Sequence, residues 1–264
     1  MKHDPRDAVG RRTWNRHWEF QKGRLKTSIS PYRVPALHRL LLRFMPKTPG
    51  VKVIEIGASP GRFMVYFAEQ FGCEVTGIEY SPAGYALMLR TLAQAGITAQ
   101  CHLGDVFTYE FPEGSLDVVF SAGFLEHFEN RTTVLARMDA LLKPGGLLVV
   151  TWPNLLGLNG RIFRLTRPTG VRTHHVFHAG EIRQRLEKWG YAPLYAGPMN
   201  GPFLMHPWGE VRCLKNQATL RLLMAGPFLV LNRLLQLLNF YVVSLPESDL
   251  LSSTQGVIAR KGRS

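Results

Sequence analysis

Three cysteines in 264 residues, Cys73, Cys101 and Cys213, are too few and too scattered for a zinc cluster or a disulfide framework. They are expected to be reduced, buried thiols of a cytoplasmic protein. Long apolar runs are also missing: nothing reaches the roughly 18 uninterrupted residues of a membrane-crossing helix. The N-terminal MKHDPRDAVGRR is polar and lacks the apolar stretch of a secretory leader, so neither secretion nor membrane spanning is expected. There is no internal repeat and no low-complexity tract. Acids are scarce outside the middle of the chain. Basic residues outnumber acidic ones twelve to three over residues 1–50, seven to two over 151–200 and seven to three over 201–264, whereas 51–150 holds six basic and eleven acidic residues. A formal charge of +13 distributed this way suggests an anionic partner, whether nucleic acid, a membrane surface or an acidic substrate, unless the charge is only solvated surface.

With 45% apolar content the chain can bury the core of one α/β domain with elaborations. The stretch VIEIGASPGR, Val53 to Arg62, opens that domain. Val51, Val53, Ile54 and Ile56 read as a buried parallel strand, and the glycines after it let the backbone turn sharply beneath a ligand. Ser59 is expected to cap the next helix and Pro60 to sit in its first turn, leaving backbone donors that favour an anionic ligand group. The order then alternates: a helix through FMVYFAEQFG, a strand CEVTGIE, and a helix opened by Ser81-Pro82 and closed by Gly96. The strand TAQCHLGD, the strand LDVVFSAG, helix 131–142 and, after Lys143-Pro144-Gly145-Gly146, the strand LLVVTW complete the run. Strict alternation predicts a parallel sheet with helices on both faces. A Gly, Pro and Arg-rich insertion (153–178), the helix EIRQRLEKWG, the strand YAPLYAG, a long segment 200–245 and a last strand SSTQGVIARK follow.

In such a sheet ligands lie beyond the carboxyl ends of the strands, where Glu55, Glu79 and Asp105 fall. Glu79 stands where a carboxylate reaches ribose hydroxyls, yet the loop is not GxGxxG and the module lacks basic side chains for a pyrophosphate. A nucleoside without phosphates fits better. With EIGASPG, GIEYSP, LGDVF, VVFSAGFLEHF and LKPGGLLVV in this order, the module resembles class I S-adenosylmethionine-dependent methyltransferases, among them the ubiquinone-biosynthesis type O-methyltransferases. The resemblance covers roughly residues 51–152. It implies a Rossmann-like doubly wound seven-stranded sheet, mostly parallel with an antiparallel last strand, carrying helical N-terminal and C-terminal elaborations. It also implies S-adenosyl-L-methionine as cofactor. Glu55, Gly57, Ala58, Ser59 and Gly61 would carry its methionine half, Glu79 and Tyr80 the ribose side, and Asp105 and Val106 the adenine. Ser121 and Ala122 would border the methyl group. Ser59 stands where the family usually has its second glycine.

Methyl transfer from a sulfonium needs chiefly a well-placed nucleophile, with a base where the nucleophile must lose a proton. His127 is the first candidate for that base and His175 a second. The run Thr173-His174-His175-Val176-Phe177-His178 invites a metal reading, with His174 and His178 on one face if helical, but no carboxylate stands at a convincing spacing and no metal is expected. Trp14 and Trp18, at helical spacing, either pack the N-terminal helix or cover the cofactor.

The Asn or Asp-Pro-Pro-aromatic motif of base-amino methyltransferases is absent, as is the Lys-Asp-Lys-Glu set of ribose methyltransferases, which disfavours nucleic acid. Residues 222–245 form an apolar helix with one polar stripe, Asn232, Gln236 and Asn239, interrupted by Pro227. This is a buried cover, a lid for a lipid-like acceptor, or an interfacial element for which Arg212, Lys215, Arg221 and Arg233 favour an anionic bilayer. The expected organisation is a basic helical cap (1–50), the core (51–199), the apolar helical insertion (200–245), and a last strand and tail (246–264). The expected function is methyl transfer, to oxygen, on a small or lipid-linked acceptor, at a cytoplasmic location or peripherally at the inner membrane face. The alternatives are an RNA or protein methyltransferase using the basic rim, and a non-catalytic cofactor-binding subunit.

Overall fold

The computed structural model describes residues 10–21, 29–166, 173–201 and 218–263. Seven strands form one sheet: β1 (Lys52–Ile56), β2 (Glu74–Glu79), β3 (Gln100–Leu103), β4 (Leu116–Ala122), β5 (Leu142–Pro153), β6 (Ala192–Met199) and β7 (Thr254–Arg260). Their order is β3-β2-β1-β4-β5-β7-β6. Strands β1 to β5 pair in parallel, and β7 runs antiparallel between β5 and β6, so the expected mixed sheet is the one found.

Both faces of the sheet are covered, which is why its central strands are apolar at consecutive positions instead of alternating with polar residues. Val118 and Phe120 of β4, with Leu147 and Val149 of β5, pack beneath α2 (Pro35–Phe44), α3 (Arg62–Phe71) and α4 (Pro82–Ala95). Val119, Leu148 and Val150 point the other way, onto α5 (Arg131–Leu141) and α7 (Ala179–Lys188). The remaining helices are α1 (Arg11–Gln21), α6 (Leu158–Thr166) and α8 (Ala218–Tyr241).

Some boundaries differ from the sequence reading. Lys143 to Gly146 lie inside β5 because their backbone already joins the sheet edge, where the Gly146 carbonyl accepts the Lys261 amide at 2.9 Å. The insertion after β5 contains α6. Cys73 stands just before β2, and Cys213 lies outside the described residues. Pro227 does not interrupt α8, which continues through it. A proline removes one amide donor and crowds one turn, and the turns on either side retain their own bonds.

Candidate active site

The strand order reverses between β1 and β4, which opens a crevice beyond their carboxyl ends. The chain enters it through Gly57 to Gly61. Gly57 has φ 71°, and a Cβ there would stand 2.9 Å from the Phe124 ring, so the turn accepts only glycine without strain. The Gly57 and Ala58 amides both donate to the Ile78 carbonyl, at 3.0 and 3.1 Å, which ties the loop to the end of β2. Ser59 does not cap α3. Its hydroxyl donates to the Gly84 carbonyl at 3.1 Å, and the N-cap is Gly61, in the left-handed region with no side-chain cap. Ser59 and Pro60 instead form the middle of a turn closed by the Gly61 amide on the Ala58 carbonyl at 2.6 Å, which leaves them short of the helix. Ser81 does cap α4, accepting the Gly84 amide at 3.1 Å with Pro82 in the first turn.

Glu79 ends β2 as a buried carboxylate that accepts the amides of Ser59 at 3.1 Å and Ser81 at 2.8 Å. Burial lifts its pKa to about 7, against the pull of those amides. The neighbouring Tyr80 receives the Arg11 guanidinium 4.6 Å from its ring centre, and its carbonyl accepts Arg11 Nε at 2.9 Å. After β3, Asp105 accepts the Phe107 amide at 2.9 Å and Val106 is buried. Ser121, near the end of β4, is fully buried with no partner for its hydroxyl, and Ala122 beside it is half-buried. Glu55 is buried with one carboxylate oxygen unpaired, and its pKa stands well above the usual carboxylate range because of that burial, opposed by the nearby Arg62.

Beyond β4 the chain makes a 3₁₀ turn at Leu125–His127. His127 Nδ1 lies 2.8 Å from the Thr173 carbonyl, so the ring proton sits on Nδ1, and the Gly123 backbone is a second hydrogen-bonding neighbour of the ring. Glu126 Oε1 is 3.8 Å from His127 Nε2, and Glu126 Oε2 is buried without a partner. Burial raises the Glu126 carboxyl to about 8. Burial, then the adjacent His174, lowers His127 to about 4. At neutral pH this pair is therefore uncharged.

The ring that meets His127 is His174, 4.7 Å away between centroids, and not His175. Residues 174–178 are not helical, so His174 and His178 share no helix face. The His175 amide donates to the Glu126 carbonyl at 2.7 Å, and His178 is the N-cap of α7. Donor atoms of Glu126, His127 and His174 all lie within 4.8 Å of one another, which makes this trio, and not His174 with His178, the described group able to hold a metal ion.

Helix α1 lies across the mouth of the crevice. Trp14 meets His127 edge-on at 4.8 Å and stacks with Trp18 at 6.5 Å. Asn15 Oδ1 accepts the Ser81 hydroxyl at 2.6 Å and the Ala83 amide at 3.2 Å, serving the start of α4 from a distant helix. Of the two alternatives for Trp14 and Trp18, the packing of the N-terminal helix is the one these contacts describe. Asn15 and Phe124 were given no role in the sequence reading, and His174 only a place in a metal pair with His178. Neither Asn15 nor Phe124 has a local signal, since their contacts are made only by folding.

Residues 54–150 match the family described as "Methyltransferase domain". Over these residues the chain is similar to that family, and its fold is that of class I S-adenosylmethionine-dependent methyltransferases. The chain is 29% identical over 124 residues to phosphoethanolamine N-methyltransferase 2 of Caenorhabditis elegans, covering 47% of this chain and 28% of that protein. It is 32% identical over 102 residues to 2-methyl-6-phytyl-1,4-hydroquinone methyltransferase of Synechocystis sp., covering 39% of this chain and 32% of that protein. It therefore spans about a third or less of the length of these curated relatives. The solved structure of Haemonchus contortus phosphoethanolamine N-methyltransferase 2, with phosphomonomethylethanolamine and S-adenosylhomocysteine, superposes with a TM-score of 0.57 at 19% identity. That match covers 85% of this chain and 52% of that one, and establishes the shared fold.

S-adenosylmethionine is the cofactor of this class. The residues around the crevice fit it. A carboxylate ends β2, the Gly57 turn brings bare backbone to the floor, and the Ser121 hydroxyl and one Glu55 oxygen are buried polar atoms without partners near the strand ends.

Proposed function

We propose that this chain transfers the methyl group of S-adenosylmethionine to an oxygen of a small, amphipathic or lipid-linked acceptor. The observation that carries the reading is a neutral His127 just past the carboxyl end of β4, with its Nδ1 proton committed to Thr173. Glu79 would hold the ribose diol, Asp105 and Val106 the adenine, and the Gly57–Gly61 loop the methionine half. The bound cofactor supplies a methyl group on a sulfonium, an activated leaving group. The protein's share is to seat the acceptor hydroxyl in line, to exclude water beneath Trp14 and Phe124, and to take the hydroxyl proton on His127 Nε2. Glu126 stands 3.8 Å from that nitrogen, where it would answer the charge the imidazole gains. The relatives named for phosphoethanolamine and for a phytyl hydroquinone support a small polar head, with or without an apolar tail.

The test is to incubate the purified protein with methyl-labelled cofactor and cell extract, then to partition the label among organic solvent, nucleic acid and protein. Label in the organic phase that disappears with Glu79→Ala supports the reading. Label in polymer supports the RNA or protein alternative and defeats it, as does cofactor binding without transfer, which points to a non-catalytic subunit.

A further inference from the structure

We propose that the outer face of α8 docks this protein onto an anionic lipid bilayer, with the helix lying in the plane of the interface. The polarity of α8 is inverted relative to a helix that covers a core. Its polar stripe is turned toward the body of the protein. Asn239 is 2% exposed, its amide donates to the Gly201 carbonyl at 2.6 Å, and its Oδ1 accepts from the Leu245 amide at 3.1 Å and the Arg39 guanidinium at 3.4 Å. Asn232 and Gln236, on the same stripe, are partly buried. The opposite face is apolar and open. Val230 is 59% exposed, Leu234 59%, Tyr241 70% and Val242 76%, with Leu231 and Leu238 between them. At about 100° per residue Val230, Leu231, Leu234, Leu238 and Tyr241 fall within an arc of about 100°, one continuous stripe, and Val242 follows just past the helix end. An apolar stripe of this kind on a folded surface marks a binding face.

Charge identifies the occupant. From Val211 to Pro246 the sequence carries Arg212, Lys215, Arg221 and Arg233 and no acid. Arg39 reaches α8 from α2, and on the same side of α2 stand Leu42, 49% exposed, and the exposed Arg43. Arg233 lies at the border of the apolar stripe, 4.0 Å above the Tyr32 ring. A second copy would bring the same cationic border to this face, on a chain of charge +13, and the two would repel. Anionic phospholipid matches both parts: acyl chains take the leucines and valines, and headgroups take Arg43 and Arg233. Among the described residues no helix is long and apolar enough to cross a membrane, which suits a helix lying along the surface.

This inference stands apart from the acceptor's identity and is tested by flotation with vesicles of phosphatidylcholine alone and of phosphatidylcholine with phosphatidylglycerol. Binding is expected to the anionic vesicles and to weaken with salt. The Leu234→Glu, Val242→Glu double variant should lower partitioning at least tenfold with unchanged circular dichroism. The milder Leu234→Ala, Val242→Ala pair should lower it less. Unchanged partitioning of the glutamate variant would assign binding to the basic segments instead and overturn the proposal. It is equally overturned if the wild type ignores vesicles, whether it stays monomeric in sedimentation or forms dimers that the glutamate variant dissociates.

Discussion

Replacing Glu126 by glutamine tests the electrostatics of the candidate site through stability. Burial raises this carboxyl from 4.5 to about 8 in the folded protein. Below the unfolded value both states are protonated and the fold has the full benefit. As pH rises, the unfolded chain ionises first while the folded chain keeps its proton until about 8, so stability falls by up to about 1.4 kcal/mol per pH unit. Between the unfolded value and neutral pH the loss is about 3 kcal/mol. Glutamine keeps the shape and cannot ionise, at a cost of about 1 kcal/mol for a buried amide with imperfect partners. Glu126→Gln should therefore match the wild type within about 1 kcal/mol near pH 5, and exceed it by about 2 kcal/mol near pH 7. Urea unfolding across this range, read from midpoints at constant slope, measures the difference. An ionised Glu126–His127 pair would give the reverse, a loss of about 3–5 kcal/mol near neutrality that shrinks in acid, and that result would refute the neutral pair.

Three further outcomes follow from the same geometry. Glu79 titrates at about 7, and a ribose diol needs the ionised carboxylate, so affinity for S-adenosylhomocysteine should rise about tenfold from roughly pH 6 to 8 in calorimetry and lose that slope in Glu79→Gln. His127→Gln should lower kcat by about 10²–10⁴ for a hydroxyl acceptor while leaving S-adenosylhomocysteine affinity unchanged, and an unchanged kcat would remove its role as base. Asn15→Ala deletes two bonds between α1 and the start of α4, so it should cost about 1 kcal/mol in urea unfolding and speed cofactor release in stopped-flow tryptophan fluorescence.

The sheet was legible because burial on both faces writes continuous apolar strands, and Ser81-Pro82 was legible because its cap bond is local. Ser59-Pro60 offered the same two residue types and misled. The difference lies in a tertiary bond, the Ser59 hydroxyl on the Gly84 carbonyl, which no local pattern announces. His127 could be read from its place after β4, but its partner could not, because choosing His174 over His175 depends on which way a non-helical segment faces. Asn15 serves a helix that begins 67 residues later in the chain, a contact made only by folding. The polar stripe of α8 was visible as a stripe. Its inward direction was not, since it is set by Gly201 and Arg39.

The whole reading rests on the crevice beyond β1, β2 and β4 binding S-adenosylmethionine through Glu79. Calorimetric titration of the wild type and Glu79→Ala with S-adenosylhomocysteine tests it most directly. One site per chain is expected, weakened at least about tenfold in the variant, the scale of one lost charge-assisted hydrogen bond. A folded wild type that takes up no ligand, or equal affinity in the two proteins, would contradict it.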